Sequence, residues 1–169
     1  MSRQYKKFSG HYNAFFEKVY RYIFFRAGRN KQLAEDLTSE IFMKALENFE
    51  NYDETRPFAV WIYSIAHNHL VDHYKKVKPE IVDIEVAANE LKIYDHAAKD
   101  LDVKLDMEKV QLILDKLPAN QKDIVVLKYV NDLTNPEIAE ILDTSEAHVR
   151  VLQHRALQAL KTRLANVNI

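Results

Sequence analysis

Apolar side chains recur at three- and four-residue spacing through most of this 169-residue chain, and strand-like alternation is not evident. In the first half, this spacing predicts three helices, which cover residues 12–27, 33–49 and 58–76. Gly28 is predicted to end the first of them, because glycine adopts the left-handed conformation that commonly follows a helix. Four more helices are predicted from Leu105 onward. The sequence therefore predicts an all-α fold.

The second and third predicted helices each have an apolar stripe that identifies candidate core residues. In the second helix the stripe consists of Leu33, Leu37, Ile41, Phe42, Ala45, Leu46 and Phe49. In the third helix, the inward stripe is predicted to consist of Trp61, Ile62, Ile65, Ala66, His69 and Leu70. The remaining arc of the third helix is predicted to carry Tyr63, Ser64, His67, Asn68, Val71 and Lys75.

Residues 136–164 have the pattern of a short helix, a polar turn and a longer basic helix. Asn135 is predicted to cap the short helix, with Pro136 at its first position, and Ser145 is predicted to cap the long one. The inward positions of the long helix are predicted to be Val149, Leu152, Ala156 and Leu160. This layout is typical of a DNA-binding helix-turn-helix, although an ordinary helical hairpin with a charged face has the same pattern.

The formal net charge of −1 is unevenly distributed along the chain. Residues 1–77 hold 12 Lys/Arg and 9 Asp/Glu, residues 78–108 hold 4 and 9, and residues 109–169 hold 8 and 7. We therefore predict a helical domain over residues 1–77, an acidic and weakly periodic linker over 78–105, and a helix-turn-helix domain over 106–169. Because the charge is close to neutral overall, any DNA affinity is expected to need a partner protein.

Several classes of protein are disfavoured by what the sequence lacks. It has no apolar run of the roughly 18 residues that a membrane span needs, no secretory signal pattern and no cysteine, which fits a cytoplasmic protein. Gly-rich phosphate loops and nucleophile–base motifs are absent, so we expect neither an enzyme nor a bound cofactor. His69 and His73 have the offset of a zinc-binding pair, but no glutamate follows the first and no third ligand follows, so we expect no metal site.

The stretch from Asn48 to Lys76 has the ingredients that hold unpaired nucleic-acid bases. Such sites combine aromatic rings that stack on bases, amides that bind base edges, and cations along the backbone. The sequence supplies Phe49, Tyr52, Phe58, Trp61 and Tyr63, with Asn48, Asn51 and Asn68, and with Arg56, Lys75 and Lys76. The alternative is that these rings are core residues, and Trp61 is the strongest candidate for that role.

Together the two halves resemble one family, the bacterial RNA polymerase sigma factors of the extracytoplasmic-function (ECF) type within the sigma-70 family. AEDLTSEIFMKALENF resembles the helix by which these proteins bind the clamp of RNA polymerase. PFAVWIYSIAHNHLVDHYKK resembles the helix that recognises the melted minus-ten element. LDKLPANQKDIVVLKYVNDLTNPEIAEILDTSEAHVRVLQHRALQALK resembles the domain that binds the minus-thirty-five element.

The resemblance implies a promoter-specificity subunit, with core RNA polymerase and promoter DNA as partners and an anti-sigma protein as a candidate third partner. It implies polymerase contacts at Asp36, Ser39 and Glu40. It implies contacts with the minus-ten region at Asn51, Tyr52, Arg56, Trp61, Asn68 and Lys75, with Asn68 lining the pocket for a flipped-out base. It implies contacts with the minus-thirty-five region at His148, Arg150, Val151, His154 and Arg155. The acidic linker would thread toward the channels of the polymerase.

The chain departs from the family pattern in places, and two other functions compete with the first. Ser39 stands where the family usually carries Gln, and Ala147-His148 stands where it usually carries Gly-Thr. Leu152-Gln153 reverses the common order, so either the helix is rotated or Leu152 packs beside the usual seam. The competing functions are a stand-alone helix-turn-helix regulator and a protein that sequesters a partner without touching DNA.

Overall fold

A computed structural model describes residues 2–77 and 107–167, and every regular element within these ranges is helical. The first range contains α1 (Arg3–Arg26), α2 (Lys31–Glu47) and α3 (Phe58–Val77), with a 3-10 turn at Phe49–Asn51. The predicted all-α class and the three predicted helices are confirmed. The predicted linker at 78–105 lies outside the described residues.

The first helix begins earlier than its apolar pattern predicted, at Arg3 instead of near Tyr12. The Ser2 side chain caps it by accepting a hydrogen bond from the backbone N–H of Tyr5 at 3.4 Å. Phe8 is buried in this added segment, where its ring lies 5.3 Å from that of Phe49. Gly28 ends the helix as predicted, with a φ of +62°.

The second range contains the four other helices and the helix-turn-helix. These are α4 (Met107–Leu114), α5 (Ala119–Val125), α6 (Asn135–Ile141) and α7 (Glu146–Val167), and α5 continues into a π-helical turn at Val126–Val130. The predicted inward residues of α7 are all buried, including Leu152 with 3% of its surface exposed. Leu152 therefore belongs to the core.

Thr134, not Asn135, caps α6, so the predicted cap is wrong by one residue. The Thr134 hydroxyl accepts from the backbone N–H of Glu137, and the Glu137 carboxylate accepts from the backbone N–H of Thr134 at 3.1 Å. This reciprocal capping box satisfies two backbone donors at once, which a cap at Asn135 would not do. The cap at Ser145 is confirmed, because its Oγ accepts from the backbone N–H of His148 at 3.1 Å.

The apolar side chains of both ranges form one continuous core. α3 packs against α1 and α2 on one side and against α6 on another, while α1 also contacts the π-helical turn. Tyr63 was predicted on the outer arc of α3, yet only 1% of it is exposed, because the second half of the chain covers that side. Leu46, predicted as core, is 40% exposed, and Trp61, Ile65 and His69 are only partly buried.

Candidate nucleic-acid interface

The loop between the 3-10 turn and α3 is held in shape by its own hydrogen bonds. The Asp53 carboxylate accepts from the backbone N–H and the hydroxyl of Thr55, at 2.9 and 2.7 Å. These bonds stabilise the charged carboxylate and lower the pKa of Asp53. The Tyr52 hydroxyl donates to the backbone carbonyl of Arg56 at 2.5 Å. The loop is therefore a preformed turn.

A cluster of aromatic rings packs against Tyr52 at the start of this loop. The Tyr52 ring lies 5.0 Å from Trp61 and 5.5 Å from Phe58, and it stacks on Phe49 at 5.8 Å. His11, from α1, completes the cluster, since its ring is parallel to that of Phe58 at 4.0 Å with an interplanar angle of 8°. Trp61 is partly exposed at the edge of the cluster, so it both packs and presents a ring surface.

His11 and the exposed Lys7 are contributors to this site that the sequence analysis missed. The Lys7 ammonium donates to the Glu54 carboxylate at 2.8 Å, which ties the loop to the start of α1. The pKa of His11 is lowered, mainly because burial disfavours the charged imidazolium. The negative charge of Glu54 opposes this shift, and the positive charge of Lys7 adds to it. No local pattern in the sequence could have identified them, because about 40 residues separate them from the loop.

Three of the predicted minus-ten residues follow one line along α3. Trp61, Asn68 and Lys75 are seven residues apart, and in an α-helix this spacing keeps side chains on one face with a drift of about 20° per step. They span about 21 Å along the axis, at about 1.5 Å per residue. Asn68 and Lys75 are exposed. The result is a strip of ring, amide and cation that begins beside the loop.

Of the two predicted DNA contacts at the start of this strip, Asn51 and Arg56, only Arg56 forms an ion pair with the second half of the chain. Asn51 is exposed at the end of the 3-10 turn. Arg56 is also largely exposed, but its guanidinium forms an ion pair with Glu140 of α6. One of the predicted DNA contacts is therefore engaged by the helix-turn-helix.

The predicted polymerase contacts lie on the outer surface of α2. Asp36, Ser39 and Glu40 are all exposed, and the Glu40 carboxylate lies 2.6 Å from Nε2 of His69 on α3. On the same helix Met43 is 63% exposed, and Leu46 is exposed beside it. Carboxylates flanked by exposed apolar side chains are suited to binding another protein. Met43 was not predicted as a contact, although its position off the apolar stripe was a usable signal.

The second candidate surface lies on α7, opposite its buried stripe. Arg150 is 61% exposed in its side chain, and its guanidinium donates to Glu146 at 3.0 Å, one turn earlier. The other predicted residues are partly exposed: His148, Val151, His154 and Arg155. All five lie within the first three turns of the helix, which is the part of a recognition helix that reaches base edges.

Metal binding and membrane insertion find no support in the ranges that the structure describes. Within residues 2–77 and 107–167, no group of three His, Cys, Asp or Glu side chains could hold a metal ion. None of the described helices is long and apolar enough to cross a membrane.

Each half of the chain matches a family model, and a relative matches 89% of the chain. The sigma-70 region 2 model matches residues 11–79, and the sigma-70 region 4 model matches residues 107–160. The ECF RNA polymerase sigma factor SigW of Bacillus subtilis (strain 168) is 33% identical over 160 residues, which cover 89% of this chain and 85% of SigW.

Two solved structures have a similar fold. The sigma factor RpoE of Bartonella quintana, in complex with the anti-sigma factor NepR, has a TM-score of 0.75 at 19% identity, and the match covers 95% of this chain and 98% of RpoE. CnrH, in complex with the cytosolic domain of CnrY, has a TM-score of 0.70 at 20% identity, with 95% and 89% covered.

From these matches, the chain belongs to the ECF RNA polymerase sigma factors, which direct promoter-specific initiation of transcription. The family prediction is thus confirmed. The alternative of a stand-alone helix-turn-helix regulator is not supported, because such a regulator would not need the sigma-70 region 2 that residues 11–79 match.

Proposed function

We propose that the chain binds core RNA polymerase through the exposed surface of α2 and directs it to promoters with two DNA-binding surfaces. The polymerase contacts are Asp36, Ser39 and Glu40, joined by the exposed Met43. On this proposal the chain acts in the cytoplasm and contributes recognition, while the polymerase performs the chemistry.

The strip that begins at the 52–57 loop would bind the melted minus-ten element. The observation that carries this assignment is the alignment of Trp61, Asn68 and Lys75 on one face of α3, beside a loop with a fixed conformation. Extruding a base from the duplex costs a few kcal/mol, and stacking on an aromatic ring returns about 1–3 kcal/mol. Asn68 would add hydrogen bonds to a base edge, and Lys75 would contact the backbone. The strip therefore offers what an unpaired strand needs.

The exposed face of α7 would bind the minus-thirty-five element in the major groove. Arg150 has the geometry to bind a guanine edge bidentately, once it leaves Glu146, and such a contact discriminates between bases by about 1–3 kcal/mol. The other four residues of this face would contact the flanking bases and phosphates. An anti-sigma factor accompanies the sigma factor RpoE, which has a similar fold, so we include such a protein among the candidate partners.

Transcription in vitro with bacterial core RNA polymerase and a promoter library tests the proposal. The added chain is expected to produce specific initiation. Asn68→Ala is expected to lower promoter opening about tenfold, from the loss of about 1–2 kcal/mol of base-edge and pocket contacts, with little effect on closed-complex binding. Permanganate reactivity of unpaired thymines measures opening, and filter binding at low temperature measures the closed complex.

Asn13→Ala provides the matched control, because Asn13 is an exposed amide in the middle of α1. It is expected to match the wild type in both measurements. Equal loss of opening and closed-complex binding in Asn68→Ala would contradict the role given to Asn68. Absence of specific initiation would overturn the proposed function and favour a protein that only sequesters a partner.

A further inference from the structure

Gln153 lies between the buried stripe of α7 and the face that is proposed to bind the minus-thirty-five element. It is half-buried, and it follows Leu152, which belongs to the core. Leu152-Gln153 reverses the order that is common in the family, so an amide stands here where an aliphatic side chain is usual. A half-buried amide needs partners for its donor and its acceptor, because leaving them unpaired costs free energy. The partners of Gln153 therefore indicate what this departure does.

The Gln153 amide joins three elements of the second half of the chain. Its Nε2 donates to the hydroxyl of Tyr129 at 2.9 Å, and its Oε1 accepts from Nδ2 of Asn135 at 3.4 Å. Oδ1 of Asn135 in turn accepts from the Lys128 ammonium at 2.7 Å. We name these four side chains the Gln153 network: Lys128, Tyr129, Asn135 and Gln153. The network connects the π-helical turn, the first residue of α6 and the first half of α7.

The chemistry of Lys128 fixes the direction of every bond in this network. An ammonium can only donate, so the amide oxygen of Asn135 must face it, and the amide nitrogen of Asn135 then faces Gln153. Gln153 receives this bond at its oxygen and donates from its nitrogen to the Tyr129 hydroxyl. The first bond has a charged donor, and such bonds are about twice as strong as neutral ones. The Gln153 side chain therefore has one defined orientation.

Directional bonds can set the rotation of α7 about its own axis, which its apolar contacts define less well. The buried contact between α6 and α7 includes aliphatic side chains such as Ile138 and Val149, and hydrophobic burial has no preferred direction. A rotation of about 10° moves a side-chain atom that lies about 6 Å from the helix axis by about 1 Å. Hydrogen bonds tolerate less than that, since their donor–acceptor distances fall within about 2.7–3.2 Å. A small rotation of α7 is therefore enough to change which bases it binds.

Arg150 is the proposed DNA contact that depends most directly on this rotation. It lies three residues before Gln153, and this spacing makes the two side chains neighbours on the helix surface. Arg150 is proposed to bind a guanine edge bidentately, and two parallel bonds require a defined position and angle of the guanidinium. Holding Gln153 in place therefore holds the segment of α7 that presents Arg150.

We propose that Gln153 is a positioning residue: through its network it fixes the rotation of α7 and so sets the base preference at the minus-thirty-five element, without contacting a base. This inference rests on the proposed function, because it concerns the surface that α7 presents to DNA. A glutamine that contacted a base would bind adenine through both ends of its amide. In Gln153 both ends are engaged by Asn135 and Tyr129.

Transcription in vitro with core polymerase and promoters randomised across the minus-thirty-five element tests the inference. Arg150→Ala identifies the base that Arg150 reads, as the position where this variant no longer discriminates. Tyr129→Phe removes only the hydroxyl of a side chain that is 49% exposed, and Gln153→Met removes the amide at similar length. Both variants are expected to lower the preference at that base about fivefold, because one of two hydrogen bonds to the guanine is lost when the helix rotates.

Gln153→Glu separates positioning from direct recognition. A carboxylate has one acceptor for Nδ2 of Asn135 and another for the hydroxyl of Tyr129, so the network is retained and the wild-type preference is expected. A glutamate that contacted a base directly would favour cytosine, because it accepts from the cytosine amine. A switch of preference toward cytosine in this variant would therefore overturn the inference.

Tyr5→Phe and Gln158→Met are the matched controls, because both side chains are exposed and lie outside the network. Both are expected to keep the wild-type preference. A changed preference in Gln153→Met but not in Tyr129→Phe would overturn the inference and indicate a direct base contact.

The remaining outcomes separate the inference from the proposed function. Unchanged preferences in both Gln153→Met and Tyr129→Phe would overturn the inference and leave the proposed function intact, even if transcription from every promoter fell uniformly. If Gln153→Met does not fold, Tyr129→Phe and Gln153→Glu decide. An inactive wild type would overturn the proposed function and the inference with it.

Discussion

His11 illustrates at the scale of one residue how α1 supports the loop at residues 52–57. Its ring is stacked on Phe58 and lies edge-on to Tyr52 at 6.1 Å. The neutral imidazole fits this aromatic surrounding, and burial lowers its pKa, against the opposing effect of Glu54. In the folded state, therefore, His11 resists protonation.

This shift predicts a dependence of stability on pH. Because the folded pKa of His11 lies below the ordinary value of 6.5, the unfolded chain binds more protons as the pH falls through that range. The contribution of His11 is complete above pH 6.5 and is lost as the pH falls through the folded pKa. His11→Phe keeps a flat ring that does not titrate. When the pH is lowered from 7.5 to 5.5, the melting temperature of the wild type is expected to fall by more than that of His11→Phe. Circular dichroism measures both melting temperatures.

The two proteins share every other titrating group, so the difference between their losses reports on His11 alone. Equal losses would show that His11 titrates in the folded protein as it does in the unfolded one. The role of His11 is not predictable from the sequence. Its contribution depends on a loop about 40 residues away, and nothing in its own neighbourhood indicates that contact.

At the scale of elements, the capping box decides where α6 begins. Thr134 and Glu137 satisfy each other's backbone donors, which leaves the Asn135 side chain to accept from Lys128 at 2.7 Å. The sequence pattern predicts this helix but places its cap one residue too late, because Asn135 before Pro136 is itself a favourable cap. Thr134 is the cap in the structure because Glu137, three residues later, completes the capping box with it.

Removal of this cap predicts a measurable loss of stability. Thr134→Ala is expected to lower the free energy of unfolding by about 1 kcal/mol, since the backbone N–H of Glu137 in the first turn of α6 loses its acceptor. Thr134→Ser retains the hydroxyl and is expected to stay within about 0.5 kcal/mol of the wild type. Urea denaturation followed by circular dichroism measures both. A loss of similar size in Thr134→Ser would assign the effect to the methyl group and contradict the capping role.

At the scale of the whole molecule, a buried ion pair joins the two halves: the Arg26 guanidinium of α1 donates through Nε to the Asp123 carboxylate of α5 at 2.5 Å. Breaking a buried pair leaves one charge without compensation, which costs about 3–5 kcal/mol, whereas replacing both partners by apolar residues is often neutral or stabilising. Asp123→Leu alone is therefore expected to lower the free energy of unfolding by about 3 kcal/mol. Arg26→Met with Asp123→Leu is expected to recover most of this loss.

Urea denaturation of the wild type, both single variants and the double variant forms a complete cycle that isolates the coupling. Additive losses in the double variant would mean that the two side chains contribute independently, and that their ion pair does not join the halves.

The sequence by itself determined the all-α class, the order of the helices, and the buried stripe of α7 from Val149 to Leu160. These follow from the spacing of apolar residues and from capping residues, which act over one or two turns and are therefore visible locally. The family resemblance was likewise available from the sequence, because it depends on the order of residues within each motif.

Only the tertiary structure decided which faces meet. Tyr63 and Asp123 have the local pattern of surface residues, yet both are buried, because Asn131 and Arg26 approach them from the other half of the chain. Periodicity indicates that a face is apolar or polar, but it does not indicate what that face contacts. A buried polar residue becomes stable only when its partner arrives, and for Asp123 that partner lies 97 residues away.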